Sequence, residues 1–174
     1  MTFTLVRGFA ASLLLATVSA MATGAQAQQT STNQVAAKTD WSVFEDKDPR
    51  ECWAVSTPKE TVNTKDGRVV AVKRGEILFM TFFRPGAGVS GQVAFTGGYP
   101  FANGSTVNLN IGGTQFELFT EGEWAWPSSA ADDTKIIAEL KRGANAVLSA
   151  RSGRGTQTKD SFSLSGYTAA VDEA

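Results

Sequence analysis

The side chains that most enzymes use for catalysis are scarce in this sequence. It contains no histidine, and Cys52 is its one cysteine. Histidine-based triads, histidine acid-base steps and the usual zinc sites are therefore excluded by count, and with them most familiar hydrolases. Cys52 has no intramolecular disulfide partner. It is interpreted as a small buried apolar residue or, alternatively, as an accessible thiol that pairs with another molecule.

Carboxylates remain as candidates for chemistry. Two residues apart on an extended chain, Glu121 and Glu123 would lie on one side and about 6–7 Å apart. Paired carboxylates hydrolyse glycosides without histidine, so a small periplasmic carbohydrate-processing enzyme is the alternative hypothesis for function. The acidic run 45–48 and the pair Asp132 and Asp133 lack the spacing of a calcium loop and are predicted to form a solvated turn and a helix cap. No metal, cofactor or catalytic residue is assigned.

Two further motifs have the right spacing and the wrong context. The glycines at 86, 88 and 91 match a dinucleotide fingerprint, but the strand-like segment 92–96 follows them where a helix is required, so a hairpin loop is predicted. Ser56 and Lys59 have the spacing of penicillin-binding enzymes, but Ser56 ends a predicted strand and Pro58 favours extended backbone.

Trp124 and Trp126 are the most interesting pair for binding. Residues two apart on a strand point to the same side, and acids flank these indoles. Such a pair could stack on a sugar or clamp a peptide. The competing interpretation is that both indoles pack to close one end of the domain.

Basic residues gather around the last predicted strands, near a segment 152–156 that is predicted to be a flexible loop. The cluster could contact lipopolysaccharide or other anionic envelope polymers, and the competing interpretation is a solvated face. Its members are Lys141, Arg142, Arg151, Arg154 and Lys159.

Elements that would position these residues are short and β-rich. Alternation at 106–111 predicts a half-buried strand, and the nearly continuous apolar run 77–83 predicts a central one. One helix is expected after Asp132 or Asp133, ending at Gly143, and a shorter one after Gly166. Nine strands are predicted, which favours a sandwich: 41–45, 52–57, 68–73, 77–84, 92–96, 106–111, 115–120, 146–151 and 161–165.

The N-terminal segment predicts export. Arg7 precedes an apolar run, 9–18, that is too short to span a bilayer, and small residues follow at Ala25 and Ala27. We therefore expect a signal peptide over 1–27, a disordered linker over 28–39 and one folded domain over 40–174. The mature chain would carry 15 basic and 17 acidic residues, so no nucleic-acid partner is expected.

Several segments, in this order, resemble the invasion-associated locus B family of exported alphaproteobacterial proteins. The resemblance rests on four segments: Asp40-Trp-Ser-Val-Phe44, Glu51-Cys-Trp-Ala-Val-Ser56, Ile136-Ile-Ala-Glu-Leu-Lys-Arg-Gly143 and the ending 162–171. It implies an immunoglobulin-like antiparallel β-sandwich, in the periplasm or at the outer membrane, with no catalytic residue to transfer. Family members often carry further cysteines near 116–124, where this chain has none.

Together these observations lead to one main hypothesis. The protein is an exported, non-enzymatic sandwich that binds another envelope component or a host surface molecule. Trp124, Trp126, Arg151 and Arg154 are the candidate contacts. Association with the outer membrane and the oligomeric state are left open by the sequence.

Overall fold

A computed structural model describes residues 33–174, so the expected signal peptide lies outside the described residues. Twelve strands and two α-helices make up this part of the chain, with one turn of 3-10 helix at Pro85–Ala87. The strands are β1 (Gln34–Lys38), β2 (Trp41–Lys47), β3 (Arg50–Ser56), β4 (Glu60–Lys65), β5 (Arg68–Val69), β6 (Leu78–Arg84), β7 (Val89–Thr96), β8 (Thr106–Ile111), β9 (Thr114–Glu121), β10 (Trp124–Trp126), β11 (Asn145–Arg151) and β12 (Gln157–Ser163). The helices are α1 (Ala130–Arg142) and α2 (Tyr167–Glu173).

All strands pair antiparallel in one continuous sheet, in the order β1-β2-β3-β6-β7-β10-β9-β8-β11-β12-β4-β5. The rings of Phe79 in β6 and Phe162 in β12 are 5.5 Å apart, although five strands lie between β6 and β12 in the order. Because neighbouring strands are already about 4.8 Å apart, this contact requires the sheet to fold over on itself. The expected antiparallel β-sandwich is thus confirmed, and a single folded sheet forms both of its layers.

Alternation along the strands decides which side chains face the core. In β8, Val107, Leu109 and Ile111 are buried, as predicted, while the residues between them face outward. In β6, Phe79 and Thr81 point inward, and Leu78 and Phe82 point outward. The inner face of β6 is therefore covered by the second layer, and its central position between β3 and β7 is confirmed.

The segment between β5 and β6 crosses from one layer to the other. Arg74 in this segment donates two hydrogen bonds to the Asp160 carboxylate, at 2.7 and 2.6 Å, and a third to the carbonyl of Gly97. The guanidinium also lies 5.0 Å from the ring centre of Tyr99. Arg74 and Asp160 are almost completely buried, with side-chain exposures of 6% and 0%. This ion pair ties β12 to the strand ends of the other layer.

Ser129 is the N-cap of helix α1, and its hydroxyl accepts a hydrogen bond from the backbone N–H of Asp132. Sequence analysis assigned the cap to Asp132 or Asp133, so the observed cap lies three or four residues earlier. Asp133 instead accepts the backbone N–H of Val93 at 2.7 Å, on the part of β7 that β10 does not pair. Burial raises the pKa of Asp133, and the Val93 hydrogen bond opposes this. Gly143 ends the helix as predicted.

Asp132 makes the start of α1 sensitive to pH. Its carboxylate accepts hydrogen bonds from the hydroxyls of Ser128 and Ser129 and from the Lys135 ammonium, which together lower its pKa from 3.8 to about 2. A carboxyl group whose pKa falls on folding stabilises the folded state above its unfolded pKa and loses that effect as the pH drops through its folded pKa. The contribution is therefore complete above pH 3.8 and disappears near pH 2.

We accordingly expect Asp132→Asn to destabilise the protein at pH 6 and to have almost no effect near pH 2. Urea unfolding of both proteins across this pH range measures the difference. A difference in unfolding free energy that stays constant from pH 6 to pH 2 would contradict the role given to this carboxylate.

Helix α2 packs beneath the first strands. Tyr167 is fully buried, with its ring centre 4.8 Å from that of Trp41 and its hydroxyl 3.0 Å from that of Thr81. The indole N–H of Trp41 donates to the carbonyl of Ser163 at 3.0 Å. Gly166 precedes the helix with φ of 90°. The short C-terminal helix predicted after this glycine is confirmed.

Some predicted boundaries differ from the structure. Residues 34–38 form strand β1, paired with β2, within the segment 28–39 interpreted as a disordered linker; residues 28–32 lie outside the described range. The predicted strand 68–73 is reduced to Arg68–Val69, because the chain then leaves the sheet to cross between layers. The last predicted strand, 161–165, is Gln157–Ser163. Strand β4 was not predicted.

Candidate functional site

Strand β10 presents both of its tryptophans on the outside of the sandwich. Ala125 between them is fully buried, whereas Trp124 and Trp126 are each partly exposed. Trp126 lies opposite Phe119 of β9, whose side chain is 52% exposed. The two indoles are on the same side of the strand, as the sequence predicts, and they are not part of the buried core. We call Phe119, Trp124 and Trp126 the Trp–Phe patch.

The rim of the Trp–Phe patch is acidic. Glu117 and Glu121 share the outward side of β9 with Phe119, and Glu123 lies in the turn before β10; all three are exposed. Glu117 accepts a hydrogen bond from the Thr106 hydroxyl at 2.7 Å. No ion pair within residues 33–174 neutralises any of these three carboxylates.

The hairpin between β9 and β10 changes the geometry expected for the glutamate pair. Glu121 is paired with Trp124 across the turn, and Gly122 between the two glutamates has φ of 60°. Glu121 and Glu123 therefore do not follow one another along an extended strand, and the extended geometry predicted for the pair is wrong. Glu121 ends β9, Glu123 lies in the turn, and both are exposed, so the geometry gives no support to glycoside chemistry by this pair.

A second group of outward aromatic side chains was not predicted from the sequence. Phe44, Trp53 and Phe82 are cross-strand neighbours on β2, β3 and β6, and we call them the aromatic ladder. The rings of Phe44 and Trp53 are stacked at 5.7 Å, and Trp53 lies 6.3 Å from Phe82. The Arg84 guanidinium covers Phe82 at 4.8 Å. Their outward orientation could have been predicted from the sequence, because these residues alternate with the inward Val43, Ala54 and Thr81.

The structure divides the basic cluster predicted from the sequence. Lys141 pairs with Asp172 at 2.7 Å, and Arg142 pairs with Glu139. Arg151, Arg154 and Lys159 have no ion-pair partner among the described residues. The candidate contacts Arg151 and Arg154 thus remain free for an external ligand, while the helix-borne cations do not.

Two surface depressions contain these free cations. The first, which we call the strand groove, has a volume of about 480 Å³ and runs across β8, β11, β12 and β4, with Arg151 and Lys159 among its lining residues. The second, the loop pocket, has a volume of about 340 Å³ and contains Lys73, Arg154 and Glu123. Thr158 lines both depressions. Arg154 therefore lies near the acidic rim of the Trp–Phe patch, whereas Arg151 faces a different depression.

The loop that carries Arg154 is ordered by internal hydrogen bonds. The Ser152 hydroxyl accepts the backbone N–H of Thr156 at 3.1 Å, and the Ser152 carbonyl accepts that of Gly155 at 2.8 Å. Ser152 and Thr156 are buried. The segment 152–156, predicted to be a flexible loop, thus contains a turn that is closed by its own hydrogen bonds.

Cys52 is half-buried beside the C-terminal helix, where its thiol lies against the carbonyl of Ala174. Burial raises the pKa of the Cys52 thiol, which disfavours the reactive thiolate. Over residues 33–174, no three histidine, cysteine or carboxylate side chains converge as a metal site would require. Neither described helix is long and apolar enough to cross a membrane.

Comparisons with known proteins give a matching family model and a solved structure of similar fold. A family model described as "Invasion associated locus B (IalB) protein" matches residues 41–174. Among solved structures, invasion associated protein B from Bartonella henselae superposes with a TM-score of 0.54 at 16% identity, covering 79% of this chain and 93% of that chain. At this identity the superposition shows the shared fold alone. No curated protein is significantly similar in sequence.

Proposed function

Because the chain belongs to the invasion-associated locus B family, we propose that it is an exported, non-enzymatic envelope protein that binds another protein through the Trp–Phe patch. The partner is an envelope or host-surface protein that presents basic side chains beside apolar ones. The signal-peptide pattern of residues 1–27 supports a location outside the cytoplasm.

The observation that carries this proposal is the outward orientation of both tryptophans beside a half-exposed phenylalanine. Ala125 fills the inward position between the two indoles and is fully buried, so β10 keeps its place in the core without them. Large aromatic side chains contribute most of the binding energy at many protein interfaces. Three such side chains on adjacent strands form a compact apolar centre.

The acidic rim of the Trp–Phe patch favours a partner with basic side chains. Glu117, Glu121 and Glu123 surround the patch and lack internal ion-pair partners in the described range. Carboxylates of one sign repel acidic surfaces and attract basic ones, which adds specificity and speeds association. A segment with lysine or arginine next to aliphatic side chains is complementary to both the centre and the rim.

Photo-crosslinking from position 119 tests the proposal in cells that make the full protein. With Phe119 replaced by a photoreactive phenylalanine analogue, we expect a discrete adduct that protease digestion destroys. The same analogue at Val69, which is 78% exposed on β5, is the control and should give no such adduct. Because adduct formation follows occupancy, the variants Trp124→Ser/Trp126→Ser and Glu121→Lys/Glu123→Lys should each lower its yield about tenfold.

Two results would overturn the proposal. One is an adduct that survives both double variants or appears equally from position 69. The other is an adduct that glycosidases remove and proteases do not, which would make the partner a polysaccharide. The thermal unfolding midpoint of the Trp124→Ser/Trp126→Ser variant should stay close to that of the parent, because both side chains lie outside the core; a collapse of the fold would assign them to packing.

A further inference from the structure

Among the described residues, the lysines and arginines that form no ion pair are concentrated at one corner of the sandwich. Eight of the lysines and arginines in residues 33–174 form ion pairs, and seven do not. Six of those seven lie on the β4–β5 hairpin, the β11–β12 hairpin or the crossing segment beside them; Lys47 is the exception. The six are Lys65, Arg68, Lys73, Arg151, Arg154 and Lys159. This concentration occurs in a chain with a formal net charge of −1.

Two of these unpaired cations, Arg151 and Lys159, line the strand groove. Arg151 lies opposite Gln157, and Lys159 opposite Ser149, so both cations point outward from adjacent strands. As diagonal neighbours on the same face, their Cα atoms are about 7–8 Å apart. No carboxylate lines the strand groove. Two cations can therefore contact one ligand without internal competition.

Apart from Val62 and Ala150, the rest of the groove lining is polar and uncharged. Hydroxyl and amide groups surround the two cations and can donate to or accept from the hydroxyls of a sugar. They come from Thr64, Ser105, Thr106, Ser149 and Gln157. The volume of about 480 Å³ is within the usual range of about 300–1,000 Å³ for small-ligand sites.

The lining also argues against nucleic acid. Proteins that bind single strands stack bases on exposed aromatic rings, and no aromatic residue lines the strand groove. Tyr99 in the adjoining loop pocket has its ring against Arg74 and Phe101, and its hydroxyl is 2.5 Å from that of Thr158. The aromatic ring that lines the loop pocket therefore already packs within the protein.

We propose that the strand groove binds an anionic saccharide, with Arg151 and Lys159 contacting its phosphate or sulfate groups and Arg154 and Lys73 of the loop pocket extending the contact. The polar lining residues contact the sugar hydroxyls. Phosphorylated lipopolysaccharide of the bacterium's own envelope and sulfated glycans of a host surface share this chemistry. The strand groove shares no residue with the Trp–Phe patch or its rim, so its binding does not depend on them.

Binding of defined probes to the purified protein tests this inference. The probes are a phosphorylated lipopolysaccharide, the same molecule after dephosphorylation, a sulfated heparin oligosaccharide and single-stranded DNA of similar charge. At physiological ionic strength, we expect saturable binding of the first or the third, and the one that binds identifies the source. Arg151→Ser/Lys159→Ser should raise Kd at least about tenfold and flatten its dependence on salt, because charge contacts are lost.

The matched control removes two exposed cations from the opposite corner, Lys47→Ser/Arg50→Ser, and should change Kd less than about twofold. Equal losses of saccharide affinity in the two double variants would overturn the proposal, since they would show that overall charge alone attracts the probe. Tighter binding of single-stranded DNA than of either saccharide, undiminished affinity after dephosphorylation, or no saturable binding to any probe would also overturn it. The variant Trp124→Ser/Trp126→Ser should keep saccharide affinity, which separates this result from the outcome of the crosslinking experiment.

Discussion

Replacing Arg74 by methionine is expected to lower the free energy of unfolding by about 3–5 kcal/mol. The variant leaves the Asp160 carboxylate fully buried without the two hydrogen bonds that now balance its charge. It also removes the donor to the Gly97 carbonyl, which joins the crossing segment to the end of β7. The loss should appear as a lower urea midpoint with an unchanged slope, because the surface exposed on unfolding stays the same.

A double-mutant cycle separates the ion pair from the packing around it. Asp160→Leu combined with Arg74→Met removes both charges, and this double variant should be more stable than Arg74→Met alone, with a coupling energy of about 2 kcal/mol. Lys141→Met is the control, because Lys141 forms an exposed pair with Asp172 at 2.7 Å. It should cost less than about 1 kcal/mol. Equal destabilisation by Arg74→Met and Lys141→Met would contradict the importance given to the buried pair.

Gly166→Ala is the second substitution for which we expect a large effect, a loss of more than about 3 kcal/mol. Gly166 has φ of 90°, a conformation that strains any residue with a Cβ. A Cβ at this position would also overlap the carbonyl oxygen of Lys38. Because that oxygen belongs to the backbone at the end of β1, no side-chain rotation relieves the overlap.

Gly155→Ala distinguishes the two causes. Gly155 has φ of 83°, and a Cβ there would meet nothing within 4 Å. We expect only the conformational cost of about 1–2 kcal/mol at this position. Urea unfolding of both variants gives the comparison. If Gly166→Ala is no more destabilising than Gly155→Ala, α2 is not fixed against the β1–β2 turn in the way described.

Local patterns were sufficient for much of the fold. The alternation of Val107, Leu109 and Ile111 gave β8 with its observed ends, since each residue could be assigned to one face from its neighbours alone. Gly143 and Gly166 marked a helix end and a helix start because glycine is a strong local signal at these positions. The nearly continuous apolar run of β6 predicted its central position.

Elements that depend on distant partners were missed. Strand β1 is short and mostly exposed, and its register is set by hydrogen bonds to β2 that no local pattern reveals. Strand β4 has a similar origin, because its sequence becomes a strand only beside β12. The segment after Val69 has the composition of a strand, but Arg74 is drawn across the sandwich by Asp160, 86 residues further along. Tertiary contacts therefore overrode strand propensity at this point.

The candidate site was predictable in part for the same reason. A period of two correctly placed Trp124 and Trp126 on one side of the chain, although it did not decide which side faced solvent. Sequence proximity grouped Lys141 and Arg142 with the free cations, and their ion pairs with Asp172 and Glu139 became visible only in three dimensions. Alternation within each strand could have placed Phe44, Trp53 and Phe82 on the outward face, but only the register of the sheet shows that they are cross-strand neighbours.

The contacts of Trp41 have a consequence for how the molecule acquires its structure. This side chain in β2 hydrogen-bonds to Ser163, 122 residues later, and packs against Tyr167 in α2. A polypeptide that emerges from a ribosome or a translocon N-terminus first cannot complete these contacts until nearly the whole domain is available. Contacts between such distant residues slow folding, and apolar strands aggregate readily before their partner strands are available. We therefore expect the newly made chain to need a holding chaperone along its route.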